Sequence, residues 1–147
     1  PVGKIQISAA LAGVPTPETL DLLDTFADRV YLHQTAVRTA DGTVRRFEDL
    51  PQALAALRAK GEDQYPDCEL RTHFHIPLCH GRYGTLTSTR STLDDDFFAV
   101  LRQGRIPHIE VETYTFTVLP DTWRNQDMVA SIASELQWVL GQLHATP

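Results

Sequence analysis

Three ionisable side chains alternate along one short segment, "ELRTHFHIPL" (69–78). Arg71, His73 and His75 occupy every second position, with Thr72 and Phe74 between them. Successive side chains of a β-strand point to opposite faces, so a strand here presents all three ionisable groups on one face. Imidazoles in such a row can exchange protons near neutral pH or bind a metal ion. In an enzyme His73 is a candidate general acid or base. A histidine that orients a metal ligand, or an interior histidine with a purely structural role, is the alternative.

Two further candidates, His33 and Glu112, lie in the strand-like segments 30–37 and 108–116. Neighbouring strands are about 4.8 Å apart, which is close enough for their side chains to converge on one ion. Imidazole and carboxylate groups are zinc ligands. We predict a divalent metal site, for Zn²⁺ or Mn²⁺, formed by His33, His75 and Glu112, with Glu112 also a candidate catalytic base. A hydrogen-bonded network of these side chains without a metal is the alternative.

Candidate substrate-binding residues flank the same positions. Arg38 and Arg45 lie on either side of Asp41-Gly42, a dipeptide typical of a hairpin turn. Arginine binds phosphate or carboxylate through two parallel hydrogen bonds. Tyr114 follows Glu112 by two residues and so lies on the same strand face, where it can contact a sugar. Solvated arginines and a tyrosine in the wall of the site are the alternatives.

The elements that must position these residues alternate regularly. Strand-like segments at 4–11, 30–37, 68–78 and 108–116 each precede a segment with helical periodicity. Thr16 before Pro17, Asp49 before Leu50, and the capping-box spacing of Thr92 and Asp95 mark three helix starts. Strand followed by helix, four times, predicts parallel βα units with right-handed crossovers.

Each predicted strand has one apolar and one polar face, and this decides between two α/β folds. A doubly wound sheet is covered by helices on both sides and has strands apolar on both faces. A (β/α)8 TIM barrel with a site at its C-terminal mouth accommodates polar inner faces, but it needs eight strands and about 250 residues. The chain has 147 residues. We predict one domain, 1–147, forming the last four βα units of a barrel, with a missing N-terminal half-barrel or a second copy as partner.

The composition of the chain indicates which classes of partner and which location to expect. A net charge of −6 argues against nucleic acid and anionic membranes as partners. A small-molecule metabolite or sugar is the partner that the resemblance described below implies. No apolar run is long enough to span a membrane. Cys68 and Cys79 bracket one extended segment that holds them too far apart for a disulfide, so we expect free thiols and a cytoplasmic location. The chain opens with Pro1 only three residues before a strand-like segment, from which we expect a fragment of a longer protein or a processed start.

Several segments together resemble the EboE-type metabolite-traffic proteins, among them "KIQISAAL", "YLHQTAVRTADG", "RTHFHIPL", "HIEVETYTFTVLP" and "ELQWVL". That family belongs to the xylose-isomerase-like TIM barrels, also called sugar phosphate isomerase/epimerase-like. The resemblance implies barrel strands five to eight, and a divalent metal held by Glu, Asp, His and Glu, one from each strand. His75 and Glu112 match the last two ligands. His33 stands where the family has an acid, and Gln6 and Ser8 stand where it has the first Glu.

The resemblance implies a metal-dependent sugar (phosphate) isomerase or epimerase, in which His73 and Glu112 move a proton between carbons. Two alternatives remain open. A non-catalytic metabolite-binding protein in secondary-metabolite trafficking agrees with the two departures from the ligand pattern. A metal-dependent phosphoester hydrolase agrees with a histidine-rich site. Bound metal with turnover would favour an enzyme, and a ligand held without turnover would favour the binding protein.

Overall fold

The computed structural model of the chain describes residues 2–28, 30–59, 67–112, 119 and 127–145. Its elements, in chain order, are β1 (Lys4–Ile7), β2 (Ala9–Gly13), α1 (Pro17–Asp24), β3 (Thr35–Arg38), β4 (Val44–Phe47), α2 (Leu50–Arg58), β5 (Glu69–Ile76), β6 (Arg82–Tyr83), β7 (Leu86–Ser88), α3 (Asp95–Arg102), β8 (His108–Val111) and α4 (Met128–His144). A short 3₁₀ turn, Thr89–Thr92, precedes α3.

The helix starts follow the local signals in the sequence. Thr16 caps α1 and Asp49 caps α2, each through a side-chain oxygen that accepts a backbone N–H, so both predictions are confirmed. The cap of α3 is Asp94, whose carboxylate accepts the N–H of Phe97. The capping box predicted from Thr92 is therefore wrong, because Thr92 ends the 3₁₀ turn.

The strands form two sheets, and this contradicts the predicted barrel. Six strands form an antiparallel sheet in the order β4-β3-β5-β2-β7-β6, and β1 pairs with β8 in a separate parallel sheet. A (β/α)8 barrel requires all its strands to be parallel. The chain is therefore not the C-terminal half of such a barrel, and the missing N-terminal half-barrel expected as its partner has no sheet to complete.

Antiparallel pairing explains the alternation that suggested a barrel. A sheet that is covered on one face and solvated on the other has strands with one apolar and one polar face. The segment 4–11 was expected to be one strand, but it divides at Ser8 and supplies β1 to one sheet and β2 to the other. Segment 44–47 is the second strand of the hairpin predicted at Asp41-Gly42, which is confirmed, and segment 82–88, expected as a loop, supplies two short strands through a second hairpin.

The apolar face of the six-stranded sheet is covered by α1 and α2. Leu11, Val37, Leu70 and Phe74 on the sheet belong to one buried cluster with leucines of both helices. Phe26, just after α1, lies 5.6 Å from Phe74 between ring centres. This packing fixes which face of β5 is buried, and so leaves its histidine face free to form a site.

Helix α4 directs apolar side chains outward. Ser131, Glu135 and Val139 are buried, whereas Val129, Ile132, Leu136 and Leu140 are exposed. Within the described residues, no helix has both the length and the apolar character needed to cross a membrane.

Asp49 provides the first test of the fold. Its Oδ1 accepts two backbone N–H groups, those of Leu50 and His33, both at 2.9 Å. We expect Asp49→Ala to lower the free energy of unfolding by about 1–2 kcal/mol, because it removes a helix cap and leaves the His33 N–H without its acceptor. Asp49→Asn keeps an acceptor oxygen and should lower the free energy of unfolding clearly less. Urea denaturation followed by circular dichroism measures both, and equal losses would contradict the assignment.

Candidate functional site

The side chains on the polar face of β5 become less exposed toward the C-terminal end of the strand. Arg71 and His73 are exposed, and His75 is buried near the end of the strand. At this end of β5, Ile76 is paired with Ala9 and the carboxylate of Glu112 lies beside His75.

Four side chains form a continuous chain of contacts at this end, which we call the histidine relay: Gln34, His73, His75 and Glu112. His73 Nδ1 lies 2.8 Å from Gln34 Oε1, and His73 Nε2 lies 2.8 Å from His75 Nε2. His75 Nδ1 lies 3.5 Å from Glu112 Oε2. The predicted catalytic residues His73 and Glu112 are thus connected through His75.

The backbone explains why Glu112 reaches β5. The N–H of Glu112 donates to the carbonyl of Ile7 at 3.1 Å, at the end of β1. The next strand starts at Ala9, which is paired with Ile76 at the end of β5. The change of sheet at Ser8 therefore brings the residue after β8 beside the histidines.

The negative charge of Glu112 favours one of the two possible arrangements of protons. Its carboxylate lies 3.5 Å from His75 Nδ1 and favours a proton on that nitrogen. The neutral His75 then has a lone pair on Nε2, which accepts the Nε2 proton of His73. That leaves a lone pair on His73 Nδ1, and the exposed amide of Gln34 must turn its NH₂ to this nitrogen in place of the oxygen that faces it. His73 Nδ1 is then the basic atom at the surface end of the relay.

Burial and charge act on His75 in opposite directions. Burial lowers the pKa of His75 below 6.5, and the carboxylate of Glu112 raises it in part. His75 is therefore neutral at neutral pH, with a carboxylate beside it that stabilises a proton taken up later.

His33 lies behind the relay and not in it. Its Nδ1–H donates to the backbone carbonyl of His73 at 3.1 Å, and its ring stacks on Phe74 with centres 4.0 Å apart. Its Nε2 is buried and has no hydrogen-bond partner among the described residues. Burial lowers the pKa of His33, so the ring is a neutral support for the backbone of β5.

Of the predicted metal ligands, the structure brings His75 and Glu112 together, whereas His33 turns its Nδ1 to the backbone of β5, and the metal site stays a prediction. Across the described part of the chain, no three His, Cys, Asp or Glu side chains form a group that could hold a metal ion. His73 Nε2 and His75 Nε2 are 2.8 Å apart, a hydrogen-bond distance. These side chains fit a proton-sharing network, which was the alternative to the metal.

An open cavity of about 510 Å³, which we call the groove, adjoins His73. That volume lies in the range of small-molecule sites. Its wall and floor come from the outward face of β3, β4 and β5, and its lining residues are Ala10, Gln34, Thr35, Ala36, Arg46, Phe47, Glu48, Arg71, Thr72 and His73. A smaller cavity of about 200 Å³ continues from it and shares Ala36 and Arg71.

The predicted substrate-binding residues have three different positions. Arg38 lines the smaller cavity. Arg45 lines neither cavity and instead lies over the ring of Phe47, 4.8 Å from its centre. Tyr114 lies outside the described residues. Arg46 was not singled out as a candidate, yet it lines the groove. Side chains alternate along a strand, so Arg45 and Arg46 point to opposite faces of β4. This alternation was the signal that could have identified Arg46.

We compared the chain with protein-family models, curated proteins and solved structures, and none of the three comparisons found a match.

The buried histidines predict how stability depends on pH. The pKa values of His33 and His75 lie below 6.5 in the folded chain, so on acidification below that value the unfolded state takes up protons first. The free energy of unfolding should therefore fall as pH falls from about 7 to 5, by at most about 1.4 kcal/mol per pH unit for each histidine.

We expect His33→Gln to reduce this slope, as measured by urea denaturation at a series of pH values. Leu101→Val is the matched control, because it destabilises the core without removing a titrating group or the Phe74 ring on which His33 stacks, and it should keep the wild-type slope. An unchanged slope in His33→Gln would contradict the lowered pKa.

Proposed function

We propose that the chain binds a small hydroxy-carbonyl metabolite, such as a sugar, in the groove and moves a proton between its carbons. This is isomerase or epimerase chemistry, with His73 as the base and with His75 and Glu112 behind it. The observation that carries the proposal is the 2.8 Å contact between the two histidines, which connects a base at the groove to the half-buried carboxylate of Glu112.

In the proposed reaction the substrate replaces Gln34 beside His73 Nδ1. The substrate C–H bond breaks, a new N–H bond forms at His73 Nδ1, and the electron pair moves into the neighbouring carbonyl to give an enediolate. The Nε2 proton of His73 passes to His75 Nε2. The positive charge then resides on His75, next to Glu112. The hydroxyl proton of the enediolate passes to the neighbouring oxygen, and the reverse movement through the two histidines returns a proton to the neighbouring carbon.

General considerations support these roles. A base whose second nitrogen is held by another group, with a carboxylate behind it, has a defined orientation and a stabilised conjugate acid. The groove is large enough for a metabolite of this size. No step requires a metal ion. The resemblance to metabolite-traffic proteins agrees with a small-molecule ligand, although the barrel that it implied is wrong.

One observation favours a non-catalytic binding protein as the second candidate. Both ring nitrogens of His73 already have partners within the protein, Gln34 and His75. A ligand that leaves these contacts intact would be held without reaction.

We propose the cytoplasm as the location. Cys68 and Cys79 are free thiols, as expected from the sequence, and free thiols are typical of a reducing compartment. A second copy as partner stays a prediction.

Solvent exchange tests the catalytic proposal. The protein is incubated in D₂O with a panel of short aldoses and ketoses and their phosphates, and loss of the carbon-bound proton signal is followed by ¹H NMR. We expect exchange with at least one of them, reduced about 10²–10⁴-fold in His73→Gln and by a smaller factor in Glu112→Gln. His73 is exposed, so its replacement should leave the fold intact.

His80→Gln is the matched control, because His80 is half-buried and lines neither cavity; it should keep full activity. Exchange that persists in His73→Gln would contradict the assignment of the base. Ligand-dependent shifts of the groove amides without exchange by the wild type would favour the binding protein.

A further inference from the structure

A row of three side chains crosses the floor of the groove. Ala36 on β3 is paired with Arg46 on β4 and with Arg71 on β5. Paired residues of antiparallel strands point to the same face. Two arginines therefore stand on either side of an alanine, about 10 Å apart at their backbones, which is two strand spacings. The small alanine leaves the space between them open.

The charges around this row do not cancel. Glu69 shares its carboxylate between two arginines, with Oε2 on Arg38 at 2.6 Å and Oε1 on Arg71 at 2.9 Å. Arg46 has no carboxylate within ion-pair distance among the described residues, although Glu48 lines the same groove. Three arginines and two glutamates leave an excess of positive charge on this face of a chain whose net charge is −6.

Arginine side chains that flank an open, apolar floor form a site for an oxyanion. A guanidinium presents its N–H groups in a planar fork that matches the spacing of carboxylate and phosphate oxygens. The partly apolar walls, including Phe47 and Ala10, reduce competition from water.

We propose that the groove holds an anionic group of its ligand, a phosphate or a carboxylate, between Arg46 and Arg71 above Ala36. The proposal rests on the proposed function for the rest of the ligand, which extends toward His73. Arg71 and His73 are two residues apart on one strand face, about 7 Å. The ligand is therefore a short one, with its anionic group a few bonds away from the carbon that reacts.

The test is a titration with inorganic phosphate, and separately with acetate, followed by ¹H–¹⁵N NMR of the full chain. We expect saturable shifts at the amides of Ala36, Arg71 and His73. Tighter binding of phosphate would indicate a phosphorylated ligand, and tighter binding of acetate would indicate a carboxylated one.

Arg46→Gln should weaken the binding about tenfold, the effect of losing one charge-assisted hydrogen-bonding group. Arg45→Gln is the matched control, since it removes the same charge from the neighbouring residue of the same strand, outside the groove; it should bind like the wild type. Spectra that match the wild type away from the groove verify that each variant is folded. Equal weakening by both variants, or no saturable shift with either anion, would overturn the proposal.

This result is independent of the exchange experiment. Proton exchange without anion binding would remove the anion subsite and leave the proposed chemistry. Anion binding that depends on Arg46, without proton exchange, would keep the subsite and leave a binding protein for anionic metabolites.

Discussion

The double pairing of β5 is the constraint on which the rest of the structure depends. This strand is hydrogen-bonded to β2 on one side and to β3 on the other, so its position in the six-stranded sheet is fixed on both sides. Leu70 and Phe74 anchor its inner face in the core, with exposures of 0% and 2%. Because side chains alternate, the same packing directs Arg71 and His73 outward. A shift of register by one residue would bury the arginine and expose the phenylalanine, which makes such a shift very costly.

The sequence was informative wherever structure depends on near neighbours. The caps at Thr16 and Asp49 and the hairpin at Asp41-Gly42 involve residues within a few positions of one another, and all three are present. Gly42 has a φ of 84°, a conformation that glycine adopts without strain. The pairing of strands depends on residues far apart in the chain. Nothing local indicates that β2 would lie beside β5 and β7 and not beside its sequence neighbour β1, and this made the barrel prediction wrong.

The alternation itself contained more information than the barrel prediction used. Polar and apolar residues alternate most clearly in antiparallel sheets that have one face in solvent. In a barrel, helices cover the strands on the outside and branched apolar side chains fill most of the interior, so both faces of a strand are largely apolar. Period two did predict that His73 and His75 share a face. It also places Glu69 and Arg71 on one face, where they form an ion pair. It gave no indication that Glu110 would pair with Lys4 across the parallel sheet, because that partner follows from which strands are neighbours.

The position of the histidine relay between two sheets accounts for the chemistry that it can perform. A fully solvated His75 would be stabilised as a cation by water and would gain little from Glu112, because a charge pair in water is weak. A fully buried histidine without a carboxylate could not accept a proton at all at a reasonable cost. The relay lies between these limits: burial keeps His75 neutral, and Glu112, held by the backbone of Ile7, lowers the cost of charging it. The proposed role of His73 as a base therefore depends on the contact between His75 and Glu112. A movement of β8 away from β5 would leave His73 in place at the groove. It would remove the Glu112 carboxylate that stabilises the proton on His75.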